Sequence, residues 1–173
     1  NHAYLLGTLS RRCEEQGLDV SIISGDRDTL QLATEHVKIR IPKTKQGRTE
    51  VEDYNADQVK EHYGVTPQEF IDVKALMGDA SDNIPGVPGV GEKTATKIIE
   101  EYHSLENAYA HVDEIKPPRA SKNLKEYWDQ ARMSKVLATI ETHADIPFHL
   151  EEARRGELYT PEAHTLFQRL QFK

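Results

Sequence analysis

The chain has 173 residues and is acidic, with 29 Asp and Glu against 22 Lys and Arg and a formal net charge of -7, which excludes a uniformly basic coat but not a basic rim around a carboxylate-lined cleft. Its length supports one ordinary domain, or a domain with a small second lobe; no stretch nears the ~20 apolar residues of a membrane span and no leader pattern opens it, so a cytoplasmic protein is expected. The single cysteine, Cys13, excludes a disulfide framework and a thiolate metal site, leaving oxygen or histidine to hold any metal.

Asn1 stands where a methionine would open a chain, and a helical pattern follows at once, so a fragment of a longer protein is expected. Leu5 to Gln16 carries Leu5, Leu6, Leu9 and Cys13 at helical spacing and closes at Gly17. Val20 to Ser24 reads as a buried strand of an α/β sheet, and Thr29 to Ala33 as a brief helical turn. Val37 to Ile41 alternates apolar with basic before Pro42, the pattern of an edge strand, and the α/β part is expected to end there. Lys43 to Glu50 reads as a polar loop around Gly47, with Val51 to Tyr54 pairing back as a hairpin.

After Tyr54 the apolar spacing turns helical: Val59 and Tyr63, then Phe70, Val73, Ala75 and Leu76, then Ala95, Ile98 and Ile99. The expected architecture is therefore α/β but mostly α, with an α/β unit over 1–54 and a helical unit over 55–173. Thr66-Pro67-Gln68-Glu69 has the N-cap, first-turn proline and acidic third position of a helix start, and Ser104-Leu105-Glu106 and Thr160-Pro161-Glu162 start two more. Lys122 to Thr139 reads as one long amphipathic helix carrying Leu124, Tyr127, Trp128, Ala131 and Leu137, behind a Lys116-Pro117-Pro118 hinge. Tyr127 and Trp128 are expected in the core, Arg119, Lys122 and Lys125 on a solvated face, and Arg154 and Arg155 at the surface near a turn.

Three segments carry chemistry. Ser24-Gly25-Asp26-Arg27-Asp28 lies at the carboxyl end of the first strand, the edge of an α/β sheet where ligand sites form. Gly78-Asp79-Ala80-Ser81-Asp82-Asn83 follows a helix. Each pair of aspartates alone is read equally well as helix or turn capping. Together they offer four carboxylates, which at about 4 Å repel by roughly 4 kcal/mol per pair at an effective dielectric near 20, so convergence requires a divalent ion. Carboxylate-only ligation suits Mg²⁺ or Mn²⁺, and the matching chemistry is phosphoester hydrolysis. In the third segment, Pro85 to Ala95, Gly89 and Gly91 flank an apolar residue before a helix. The amides of that helix start are left open to a phosphate, with Lys93 and Lys97 one turn apart beside them. Such a turn reads the DNA backbone and not base identity.

The order Asp-Arg-Asp, then Gly-Asp-x-x-Asp-Asn-x-Pro-Gly-Val-x-Gly-x-Gly-x-Lys-Thr-Ala, resembles the 5′ nuclease domain of bacterial DNA polymerase I and its flap endonuclease relatives, from about Leu5 to Ile140. The resemblance implies a partial nuclease sheet followed by a helix-three-turn-helix element over about 78–100 that holds duplex DNA. It implies 5′-3′ exonuclease or flap endonuclease activity at DNA junctions in primer removal and repair, with a polymerase domain in cis. By this resemblance Asp26, Asp28, Asp79 and Asp82 belong to the metal site. Gly86, Val87, Gly89, Val90, Gly91, Lys93 and Thr94 would meet the DNA backbone, with Lys97 beside them, and the carbonyls of Val87 and Val90 are candidates for K⁺. The family's Glu-x-Asp-Asp cluster before this helix is replaced by Asn1-His2-Ala3-Tyr4, and its upstream aspartates and helical arch are not in this sequence. His2 is read as solvated and not as a ligand. The chain alone is accordingly expected to be inactive or nearly so.

Two rivals stand beside this reading. Asp26-Arg27-Asp28-Thr29 also fits the Asp-x-Asp-x-Thr of a haloacid dehalogenase-like phosphatase, although that leaves the glycine turn unexplained. A DNA-backbone-binding module without catalysis is the other, and for the chain by itself it is the preferred description.

Overall fold

The structure is a computed structural model and describes residues 3–45, 47–157 and 159–172; His2 lies outside them. Helix α1 (Ala3–Glu15) leads into strand β1 (Val20–Ile23), a 3-10 turn (Arg27–Leu32), β2 (Val37–Lys45) and β3 (Arg48–Tyr54). Helices follow: α2 (Ala56–Tyr63), α3 (Pro67–Met77), α4 (Glu92–Tyr102), α5 (Leu105–Ala110), α6 (Pro118–Glu126), α7 (Trp128–Ala138) and α8 (Pro161–Arg169). The mixed α/β, mostly helical expectation holds. No helix among the described residues is long and apolar enough to cross a membrane.

The sheet corrects three details. Its order is β1-β2-β3, with β1 parallel and β3 antiparallel to β2, so β2 is central and not an edge. β1 pairs only as far as Arg40, and Pro42 lies beyond that point, where no strand among the described residues pairs on the β1 side and the missing amide costs no ladder bond to β1. The supposed polar loop is strand almost to its tip, pairing Lys45 with Arg48 around Gly47 at φ 78°. β1 itself is not buried on both sides. Ile22 faces the core, while Ile23 on the opposite face is 69% exposed.

Helix α1 sits on its small residues. Gly7, Thr8 and Ser10 are buried and Leu6 is 37% exposed, because segment 140–146 crosses the small face. A Cβ on Gly7 would stand 2.9 Å from Ile140, Ala144 N donates to Thr8 Oγ1, and Arg11 and Arg12 donate to the carbonyls of Thr142 and Ile146. Leucine periodicity shows the helix but not which face docks.

One apolar core runs from Ile22, Leu30 and Ile39 in the sheet through Leu76, Ile99, Leu105 and Leu124 in the helices. Full burial of such a side chain contributes about 1.5–3 kcal/mol. Helix α3 is its axis, buried nearly all round and including two charged residues, Asp72 and Lys74. On one side Asp72 Oδ1 lies 2.6 Å from Lys135 of α7, which also pairs with Glu106 of α5. Burial pushes the Asp72 carboxyl above the ordinary range against the pull of Lys135. The other side, at Lys74, belongs to the site described below.

The Thr66 start of α3 is a full capping box: Glu69 N donates to Thr66 Oγ1, and Thr66 N to Glu69 Oε2 at 2.8 Å. Burial pushes Glu69 up, yet the Thr66 amide and His103 outweigh it and hold its carboxyl below the usual glutamate range. A depressed folded pKa makes the stabilisation complete above the unfolded value and lost as pH falls through the folded one. Glu69→Gln is therefore expected to cost about 1 kcal/mol at neutral pH and to converge with the parent as the pH falls through the depressed folded pKa of Glu69, read from paired thermal melts.

The long helix read over Lys122 to Thr139 is two. Tyr127, at φ -108° and ψ 28°, breaks it into α6 and α7. Trp128 is half-buried and stacks on Tyr109 with ring centroids 3.9 Å apart, a packing role. Arg119 and Lys122 are exposed on α6, and Lys125 pairs with Asp113. Arg154 pairs with Glu151 at the surface, and α8 buries none of its residues.

Candidate metal centre and DNA-holding turn

Two loops bring acidic groups to one point. After β1 the chain turns at Gly25, and Asp26 caps the 3-10 turn by accepting from Asp28 N at 2.9 Å. That bond aims Asp28 inward, where it is buried. The second loop leaves α3 at Gly78, φ 74°, and is closed by reciprocal bonds of 2.8 Å between Asp79 and Ile84. Within it Asn83 takes φ 56°, and Asp79 Oδ1 accepts from Ser81 N and Oγ. Asp28, Asp79 and Asp82 then offer one oxygen each within 4.8 Å of one another. Asp26 is exposed and stands outside that triad; one of its oxygens is committed to the cap. A cleft of about 290 Å³ opens over Asp28 and Asp82, walled by Ala3, Tyr4, Leu137 and Ile140.

The group that reconciles three carboxylates is Lys74, which the sequence reading did not single out. Its ammonium bonds Asp28 and lies 2.8 Å from Asp79 Oδ2 and 3.5 Å from Asp82 Oδ2. Burial works against that charge, and the bonds to Asp28 and Asp79 outweigh it, raising the lysine above its usual range. The bonds from Lys74 and Ser81 hold Asp79 far below the usual carboxylate range. For Asp28 burial dominates, and its carboxyl is raised despite Lys74. A lysine inside the apolar run Phe70 to Met77 was the available signal, since a buried charge needs a partner.

These residues fit a hard divalent ion. All donors are carboxylate oxygens, they converge within ion-binding reach, and a cation already sits among them in the form of the Lys74 ammonium.

The glycine turn lies between α3 and α4. Gly86, φ 62°, is buried, with its amide donating to Ser134 Oγ at 3.0 Å and its carbonyl accepting from Gln130 at 2.7 Å. Val87 and Val90 are also buried, with Val87 N bonded to Leu76 O and Val90 N to Val87 O. Asn123 donates to Pro88 O at 2.6 Å. Gly89, Gly91, Lys93 and Lys97 are exposed and Thr94 half-buried. Gly91, the N-cap of α4, supplies no side-chain cap, so its first turn faces outward uncapped from within. Arg27, between Asp26 and Asp28, lies 3.5 Å from Glu92 in the first turn of α4, an exposed ion pair between the carboxylate turn and the helix that follows the glycine turn. No sequence signal marked Asn123, Gln130 or Ser134 as supports of the turn.

Residues 5–64 match the family model of the 5′-3′ exonuclease N-terminal resolvase-like domain, and residues 65–160 that of the 5′-3′ exonuclease C-terminal SAM fold. The chain is 46% identical over 154 residues to DNA polymerase I of Bacillus caldotenax, covering 88% of this chain but 17% of that protein's length. Among solved structures it is similar to the bacteriophage T5 5′-exonuclease with bound zinc, at a TM-score of 0.68 and 25% identity over 81% of this chain and 50% of that one. It is also similar to the T5 D15 flap endonuclease in complex with DNA and metal ions, at a TM-score of 0.65, 25% identity and the same coverage. Both acidic loops and the glycine turn fall within the matched exonuclease segments, which removes the phosphatase rival.

Proposed function

Because the chain belongs to the 5′-3′ exonuclease family, we propose that it supplies the DNA-holding turn and part of the metal centre of a 5′ nuclease acting at flap or nick junctions, with a polymerase domain in cis. The convergence of Asp28, Asp79 and Asp82 carries the reading. These three residues hold Mg²⁺ or Mn²⁺, with Asp26 bearing on the same site through the turn it caps. The ion, when bound, supplies a water of lowered pKa and stabilises the leaving oxygen of a phosphodiester.

The chain's own residues bind and orient. The amides at Gly89, Gly91 and the start of α4 receive a backbone phosphate, and Lys93 and Lys97 add charge beside it. Gly86 and Val87 act from beneath, and Thr94 fixes the first turn of α4 through its amide bond to Gly91 O at 3.0 Å. The carbonyls of Val87 and Val90 are the K⁺ candidates. We place the boundary between the nuclease core and the helical DNA-holding part after Tyr54, where the sheet ends.

The chain alone is expected to bind a 5′-flap duplex without cutting it, with affinity falling steeply as salt rises. Lys93→Ala with Lys97→Ala should lower the log–log salt slope by about 0.9 for each phosphate no longer neutralised, up to about 1.8 for the pair. A slope that the double variant leaves unchanged removes the phosphate assignment. A full-length protein carrying this chain should cleave the flap with Mg²⁺ or Mn²⁺, and Asp82→Ala should abolish that; persistent cleavage would remove the metal assignment.

A further inference from the structure

Helix α7 touches both ends of the site. Near its start, Gln130 Nε2 donates to Gly86 O at 2.7 Å, while Ser134 Oγ accepts from Gly86 N at 3.0 Å and donates to Gln130 O at 2.8 Å. At its far end Gln31 Nε2 donates to Ala138 O at 3.0 Å and Gln31 Oε1 accepts from Ile140 N at 2.9 Å. Gln31 is buried and stands on the same 3-10 turn as Asp28, so its two bonds tie the carboxylate turn to the end of the helix. Between these grips Lys135 anchors α7 to the buried Asp72 of α3.

We propose that α7 is a strut fixing the distance between the DNA-holding turn and the metal carboxylates, and that Gln31, Gln130 and Ser134 thereby position the phosphodiester that is cut. The span from Gln130 to Ala138 is about 12 Å at 1.5 Å per residue, a rigid length with a hydrogen-bonded grip at either end. The covalent route from Asp82 to Gly89 runs instead through left-handed Asn83 and Gly86, with no regular element in it. Each end holds one buried bond that solvent does not replace, Gly86 N to Ser134 Oγ and Gln31 Nε2 to Ala138 O, with half-buried bonds from Gln130 and Ile140 beside them, so loosening an end shifts the turn relative to the carboxylates. None of the three residues touches DNA or metal in this scheme; they are positioning residues, and the proposal rests on the nuclease reading above.

The test is single-nucleotide mapping of products from a 5′-flap duplex by a full-length protein carrying this chain, with kcat, KM and melting temperature recorded for each variant. Gln130→Glu keeps the shape but cannot donate, and Gln31→Ala releases the other end. Each is expected to spread cleavage to neighbouring bonds and to lower kcat by up to about 100-fold, the cost of a misplacement near 1 Å, with KM little changed. Ile115→Val, a remote core change, should lower the melting temperature and leave the cleavage position sharp. Variants that turn over more slowly but cut the same single bond as sharply as the parent would overturn the strut and leave only a structural role. Should Gln31→Ala fail to fold, Gln130→Glu decides alone. A parent that cuts no flap overturns the nuclease reading itself, and the strut with it.

Discussion

Lys74→Met is expected to lower the melting temperature by about 6–12 °C in the presence of chelator, and to lose most of that deficit in millimolar Mg²⁺ or Mn²⁺. The side chain of Lys74 is 3% exposed and its ammonium serves three carboxylates at once. Removing one partner of a buried pair leaves the others uncompensated and costs about 3–5 kcal/mol; with Asp82 partly in water, the lower end applies, and at about 2–4 °C per kcal/mol for a chain of this size the stated shift follows. A divalent ion brings back the missing positive charge, and an ion present at about 100 times its dissociation constant adds about 2.7 kcal/mol to the folded state. The parent should gain less from the same ion, because there the metal competes with an ammonium already in place. Differential scanning calorimetry of both proteins with chelator and with Mg²⁺ reads all four values. If the variant melts within a degree of the parent in chelator, Lys74 is not balancing the triad; if Mg²⁺ stabilises the two equally, ion and ammonium do not share a site.

Much of this site was legible because its chemistry is written locally. Gly78 to Asn83 closes on itself by bonds between Asp79 and Ile84, so the spacing of its two aspartates is a property of the segment. The Thr66-Glu69 capping box and the Ser104 and Thr160 caps are local too, and the structure reproduces them. What the sequence withheld is set by distant partners. The β-branched run Val20 to Ile23 has the composition of a doubly buried strand, but its exposure depends on what covers the second face. The docking face of α1 is chosen by Ile140 and Thr142, more than 130 residues away, and these favour Gly7 over the leucines. Spacing alone cannot reveal that Asp26 caps while Asp28 converges, because the difference is one backbone amide. The break at Tyr127 separates two helices whose apolar periodicities run into one another, and no glycine or proline marks it.

The glycines of the turn are chemically alike in sequence and unlike in what they tolerate, which gives the second large expected effect. Gly86→Ala should destabilise the chain by about 4 kcal/mol and abolish DNA binding at temperatures where the parent binds. At φ 62° a side chain is strained, and the new Cβ would overlap Gly78 N and stand 2.6 Å from Gly78 Cα and 2.7 Å from Met77 C. All three are backbone atoms at the end of α3, so nothing flexible can give way; left-handed strain of about 1–3 kcal/mol adds to an overpacking cost of similar size. Because Gly78 also begins the loop that carries Asp79 and Asp82, the displacement reaches the carboxylates as well as the turn. Gly91→Ala is the contrast: its φ is -92° and a Cβ there meets nothing within 4 Å, so the fold should be indifferent to it. If a phosphate approaches the bare amides at the start of α4, however, that same methyl group stands in the approach, and Gly91→Ala should weaken DNA binding with no change in melting temperature. Thermal melts and flap-duplex titrations on both variants separate the two roles. A Gly86→Ala chain that melts like the parent would contradict the packing of the turn against α3, and a Gly91→Ala chain that binds DNA like the parent would move the phosphate away from the start of α4.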